Sequence, residues 1–196
     1  MVSKIFNMID NYIYLYHTDT FIIIPEYPEN FTDSMSVEYS RETPLMRSAP
    51  IFSYSSSGPR TLDVTIPMHR DMMYQINYNV SNAKVDIHDD YVDELIKQIQ
   101  AAALPVYSSS SKMVDPPLIA IRFGNEIFCK GVVSGDVRVT YDVPVLPNGK
   151  YAQVSLGFTI QEVDPYDALT VQQVGSFRGL DASLERRLWK AAGRLF

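Results

Sequence analysis

A mainly β fold with one or two helices, in the α+β class, is predicted by three observations. The first is a pair of strictly alternating segments: Val137, Val139, Tyr141 and Val143 interleave with Arg138, Thr140 and Asp142, and Val154, Leu156, Phe158 and Ile160 interleave with Gln153, Ser155 and Thr159. Alternation over this length marks strands with one buried and one wetted face. Between them, Pro147-Asn148-Gly149 sets one φ and then supplies residues that tolerate positive φ, which is hairpin chemistry. The second is the number of short runs rich in β-branched and aromatic residues elsewhere in the chain. The third is a single clear helical period, with Tyr91, Val92, Leu95, Ile96, Ile99, Ala102 and Ala103 on one stripe.

Residues 12–16 and Phe21 to Ile24 read as strands separated by a polar turn, His17 to Thr20. Two prolines, Pro25 and Pro28, make the next stretch an irregular connector, because proline cannot donate to a strand ladder. A strand follows around Met35 to Arg41. Thr43 to Ser57, with two prolines and a serine cluster, reads as a long loop, and Arg60 to Ile66 as another alternating strand. Met72 to Ile87 fits strand or loop. Asp89 and Asp90 cap the helix, and Leu104-Pro105 ends it. Ser108 to Ser111 reads as loop, Leu118 to Phe123 as strand, and Gly124-Asn125-Glu126 as turn. Gly131 and Gly135 interrupt the next strand as bulges or bends. Beyond Asp167 the sheet pattern stops: Thr170 to Gly179 reads as a linker, and Asp181 caps a second helix, Ala182 to Phe196.

The chain has 196 residues, 46% hydrophobic and 20% charged, with a net charge of −6. That composition suits one domain with appendages and lacks the basic footprint of a nucleic-acid binder. Cys129 stands alone, so no internal disulfide framework is expected. Met1 to Asn11 lacks a basic region followed by an apolar run, and no stretch approaches ~20 apolar residues, so neither a signal peptide nor a membrane span is expected. No HExxH, GxSxG, P-loop or GxGxxG pattern occurs among the residues. His69 with Asp71 is better explained as a strand-end turn than as a base with its orienter. Asp86, Asp89, Asp90 and Asp93 lack the loop glycine and terminal glutamate of a calcium loop, so capping explains them better. Cys129 reads as a small packed residue. The expectation is a non-enzyme without cofactor or metal.

Several segments, in order, resemble one known family. Phe21 to Pro25, Pro28-Glu29-Asn30 and Met35 to Tyr39 are followed by Arg47 to Ile51, Tyr54 and Gly58 to Val64. Then come Pro116-Pro117-Leu118, Phe123-Gly124-Asn125, Phe128, Gly131-Val132-Val133, Val139-Thr140-Tyr141, Leu146 to Gly149 and Ala152 to Leu156. This series is similar to the LysM-type baseplate hub proteins of contractile phage tails and related injection machines. The resemblance implies a tail-tube-like fold: two β-sheets packed into a barrel-like sandwich flanked by a helix, over residues 1–168. It also implies a hexameric ring joining the spike-bearing hub to the first tube ring. Expected partners are the tail tube protein, the hub and spike, and sheath-initiator or wedge proteins, with DNA passing the lumen unbound. The implied location is the virion tail baseplate, assembled in the host cytoplasm. Residues 169–196 are too few for the LysM module of about fifty residues that many members carry, so wall binding is not carried over.

That final segment, read as linker plus amphipathic helix, carries Leu184, Leu188, Trp189 and Leu195 on or beside its apolar stripe and Arg186 and Arg187 among its basic residues, with a local charge of +3. Docking on a neighbouring subunit is the leading expectation, ahead of folding back on its own domain and of membrane contact. On the hairpin, Val154, Leu156, Phe158 and Ile160 are assigned to the core, and Gln153, Ser155 and Thr159 to a ring channel. A tail-tube or tail-terminator protein, and a small β-rich binding module, remain the alternatives.

Overall fold

Alternation on the central hairpin becomes two of the longest strands in the molecule. The structure, a computed structural model, describes residues 11–24, 28–70, 90–105, 117–164 and 166–193, leaving aside the side chains of 23 and 188–193. The strands are β1 (Asn11–Leu15), β2 (Thr20–Ile23), β3 (Asn30–Glu42), β4 (Ile51–His69), β5 (Ile119–Phe123), β6 (Ile127–Val145) and β7 (Tyr151–Glu162). The helices are α1 (Tyr91–Ala102), α2 (Ala168–Val174) and α3 (Ala182–Gly193), with a 3-10 turn at Gly175–Phe177 between the last two. The expectations for Met72 to Ile87 and Ser108 to Ser111, and for Asp71, Asp86, Asp89 and Leu195, lie outside the described residues.

The β6–β7 turn closes as the sequence predicts: Gly149 takes φ +81°, its N–H donates to Leu146 O at 2.9 Å, and Lys150 N–H donates to Asn148 Oδ1 at 3.0 Å. All described strands join one antiparallel sheet, in the order β2-β1-β5-β6-β7-β4-β3. This corrects the expectation of two separate sheets. The reason is β6, which runs unbroken through both halves: residues 127–131 pair with β5, and residues from Gly131 onward pair with β7.

The sheet folds over at that crossover. A Cβ on Gly131 would collide with the Gln161 carbonyl, so only glycine allows so close an approach. Gly135, at φ +76°, sits in the register break between Ser134 and Arg138, a bulge that adds twist. The curl brings the far edge of the sheet back: Phe31 on β3 meets Phe123 on β5 edge-on, 6.1 Å between ring centres.

Inside the curl lies one contiguous core. Leu62, Val64, Ile66 and Met68 of β4 pair directly with Ile160, Phe158, Leu156 and Val154 of β7, and all eight are buried. Ile13, Leu15, Ile119, Ile121 and Cys129 close it from the other half. Helix α1 fills the concavity with Tyr91, Val92, Leu95, Ile96, Ile99 and Ala102, the stripe read from the sequence. Asp90 caps it, accepting from Val92 N–H at 3.1 Å. Asp90 and Asp93 also take ion pairs from Arg70 and Lys150, which tie the start of α1 to the end of β4 and the hairpin turn. These aspartates cap and staple; among the described residues no group of His, Cys, Asp and Glu could hold a metal ion.

Candidate assembly surfaces

The outward face of β7 is the first surface. Gln153 is exposed, and Ser155 and Thr159 are half-buried on the side opposite Val154, Leu156, Phe158 and Ile160. Register fixes their neighbours, which β7 alone could not show. Thr159 lies between Asp63 and Ser134, Ser155 between Pro67 and Thr140, and Gln153 between His69 and Asp142. Thr159 Oγ1 donates to Asp63 Oδ1. The face assigned to the channel therefore also carries Asp63, Asp142 and Arg138, with His69 at its end. A cavity of about 370 Å3 opens there between Glu29, His69, Asp142 and Gln153.

The second surface was not legible as such. Thr43 to Ser57 was expected to be loop, yet β4 begins at Ile51, and its first residues pair with Tyr39 to Glu42 of β3. The outer part of this hairpin, residues 34–57, is an arm exposed on both faces, with Pro50 near the tip its one half-buried residue. Tyr39 and Tyr54 cross edge-on with 5.8 Å between ring centres. Phe52 and Tyr54 alternate with serines, a strand signal hidden because neither face is buried against this chain. At the tip, Arg47 N–H donates to Pro44 O at 3.3 Å, and the turn places Met46 at φ +69°. Leu45 and Met46 are 98% and 102% exposed.

The C-terminal segment departs from expectation in two ways. Thr170 to Gly179 is not a linker: residues up to Val174 belong to α2, capped by Asp167, and the 3-10 turn follows. Helix α3 does form, with Asp181 accepting from Ser183 N–H at 2.8 Å, but it lies back on its own domain. Leu184 is buried against Tyr12, Tyr14, Phe21, Ala120 and Phe128, a second core on the outer side of β1 and β5. Tyr12 Oη donates to Glu185, which also pairs with Arg122, while Arg187 pairs with Asp19 and donates to Tyr14 Oη at 3.1 Å. Leu184 and Arg187 thus serve self-packing, and Arg186 is exposed. Leu188 and Trp189 lie on α3, but their side chains, like Leu195, are outside the described set. Burial against Glu185 pushes the Tyr12 hydroxyl far above its ordinary value, so it stays a donor.

Between the arm's base and the C-terminal segment lies a buried ionic group. Arg60 donates to both oxygens of Asp33 at 2.8 Å, to Phe128 O at 3.1 Å and to Ser176 O at 3.3 Å. Glu162 sits 3.7 Å from Arg60 and accepts from Arg178 Nε at 3.3 Å, with both carboxylate and guanidinium buried. Burial raises the Glu162 carboxyl above its usual value, and the two arginines pull only partly against it. Cys129, alongside, is fully buried, and burial followed by the Glu162 charge pushes its thiol up to about 12. It packs as the small apolar residue expected.

No protein-family model matches the chain, and no curated protein matches it either. Among solved structures, it is similar to a chain of the virion of a native gene transfer agent particle, at 14% identity and a TM-score of 0.41, covering 81% of this chain and 96% of that one. A chain from the tail of an empty particle of the same kind, with C6 symmetry, gives 15% identity, a TM-score of 0.40 and the same coverages. Likenesses of this size establish neither a shared fold nor a role.

Proposed function

We propose that this chain is a structural, non-catalytic subunit of a phage-like tail, forming a ring between the central hub and the first tube ring and starting tube growth. The observation that carries the reading is the β3–β4 arm. An ordered hairpin that leaves the body with Met35, Val37, Tyr39, Phe52 and Tyr54 each 48% or more exposed gathers large apolar side chains on one projecting element, and contiguous exposed apolar surface marks an interaction site. Such a surface is covered by assembly. The ordered series of family-like segments in the sequence supports the place in the tail.

The outward face of β4, β7 and β6 supports the channel role assigned to Gln153, Ser155 and Thr159. Hydroxyls and amides there sit beside Asp63 and Asp142, with Arg138 as the opposing charge. A face without a basic excess gives phosphate little to hold, so a passing duplex would not stick. The ring would be a homo-oligomer, hexameric by the family reading, with tube, hub and spike, and sheath-initiator or wedge proteins as neighbours in the virion tail.

Native mass spectrometry and negative-stain electron microscopy of the full chain test this. Closed rings support the reading. Stacked tubes would instead assign the chain to the tube proper, and a monomer at every concentration, alone or with tail partners, would overturn it.

A further inference from the structure

The arm tip is strained and exposed, and a largely apolar cavity with carboxylates on its wall opens at the arm's base. We infer that the two belong together between copies: the tip of one subunit, carrying Leu45, Met46 and Arg47, seats in the cavity beside Asp164 and Asp167 of the next. This rests on the ring reading proposed above and adds the contact that would close it.

The cavity, about 590 Å3, lies between the arm's base, the end of β7 and α2. That volume falls in the range of roughly 300–1,000 Å3 found for ligand clefts. Pro59, Val163 and Val171 form apolar wall, and Glu162, Asp164 and Asp167 put three carboxylates on it. Arg60 is committed to both oxygens of Asp33. Glu162 is 4% exposed, and its Oε1 has no hydrogen-bond partner. Arg60 faces that oxygen at 3.7 Å and Arg178 holds the other, so Glu162 is balanced within the chain, and the less buried Asp164 and Asp167 are the carboxylates that a cation from outside can meet.

The tip offers the complement. Among the described residues, the Arg47 guanidinium has no hydrogen bond or ion pair. Met46 holds a left-handed conformation that a residue with a Cβ adopts only under strain, where glycine would hold it freely. Strain and full exposure of a large apolar side chain at one turn point to a role in contact. Reach makes the contact intermolecular. Met35 lines the cavity, and from Met35 to Glu42 the arm extends about 24 Å at ~3.4 Å per residue, so the tip stands away from its own cavity. A tip-to-cavity contact is head-to-tail, the kind that closes a ring or continues a helix.

Leu45→Cys and Val171→Cys subunits, mixed and treated with a short bismaleimide, test the pairing directly, since the native Cys129 is buried. A covalent dimer in the mixture and not in either protein alone is the expected result. In parallel, Arg47→Asp should weaken self-association about tenfold or more. Asp164→Arg should do the same, and the double swap should restore most of the loss. Met46→Gly relieves the turn while removing the side chain, so it should fold at least as well and assemble less. A wild-type chain that assembles, with no cross-link and with these variants assembling equally, would overturn the tip-to-cavity contact alone. A wild-type monomer would overturn both this contact and the ring.

Discussion

Arg60→Ala is the substitution from which the structure predicts the largest loss of stability. The guanidinium is completely buried, donates to both oxygens of Asp33 and to the Phe128 and Ser176 carbonyls, and faces Glu162 at 3.7 Å. Asp33 is one-third exposed and can regain water, so its loss is small. Glu162 cannot: its side chain is 1% exposed and would keep only Arg178. Removing one partner of a buried pair costs about 3–5 kcal/mol, against a total stability of about 5–15 kcal/mol. For a chain of this size, about 2–4 °C per kcal/mol converts that to a drop in Tm of about 6–20 °C. Urea unfolding followed by far-ultraviolet circular dichroism gives the free energy, and a thermal scan gives Tm. Pairing Arg60→Ala with Glu162→Gln separates the two causes: if the stranded charge dominates, the double variant loses less than the sum of the singles by about 1 kcal/mol or more. A loss below about 1 kcal/mol for Arg60→Ala, or strict additivity, would refute the reasoning.

Three further outcomes are expected. Leu184→Ala removes the main anchor of α3, a change worth about 2–5 kcal/mol at a buried leucine. It should expose the Arg186 and Arg187 bonds to trypsin before the body unfolds, and unchanged cleavage would count against docking of α3 through this residue. At Asp93, burial pushes the carboxyl up, but hydrogen bonds and charge from Arg70 and Lys150 outweigh it and hold the group below its ordinary value. A depressed folded value contributes stability above the unfolded pKa of about 3.9, lost as pH falls through the folded value. The urea-midpoint gap between wild type and Asp93→Asn should therefore be full at pH 6 and shrink at pH 2.5; a gap unchanged between these would sink the argument. Cys129 should resist iodoacetamide at pH 8 in the folded protein and react once urea is added, because its thiol is buried and raised to about 12.

What the residues revealed beforehand follows from where water is excluded. β7 and the inner part of β4 were legible because each buries one face, so Leu62, Val64, Ile66, Val154, Leu156 and Phe158 recur every second position. α1 was legible for the same reason at helical spacing. The arm was not, since alternation needs a dry side and residues 51–57 have none within this chain; Ser56 and Ser57 there reach only exposed partners, Glu38 and Tyr54. Thr170 to Gly179 misled in the opposite direction. Its helix is short and without a fully buried residue, and it is held at its ends, by the Asp167 cap and by Arg178 reaching Glu162. Pairs such as Arg60 with Glu162 or Arg122 with Glu185 join distant segments, and no local period records them.

The division of the molecule at Gly131 explains why the two surfaces differ. On one side of the crossover, β1, β2 and β5 are sealed by α3, whose Leu184 and Glu185 cover the outer face. On the other side, β6, β7, β4 and β3 keep an outer face of hydroxyls, amides and a few charges, and β3 and β4 run on past the core as the arm. A substitution at the crossover separates these roles. Gly131→Ala sets a methyl group against the Gln161 carbonyl, which is backbone and cannot swing aside, so the β6–β7 ladder has to part there. The inner core should loosen with it, because Val133 and Ile160 meet only two rungs further along the same ladder. Hydrogen exchange should then rise first in residues 131–134 and 159–162 while the arm, which was never protected by the core, stays as it was. Equal protection in both proteins would show that the sheet does not depend on glycine at its fold.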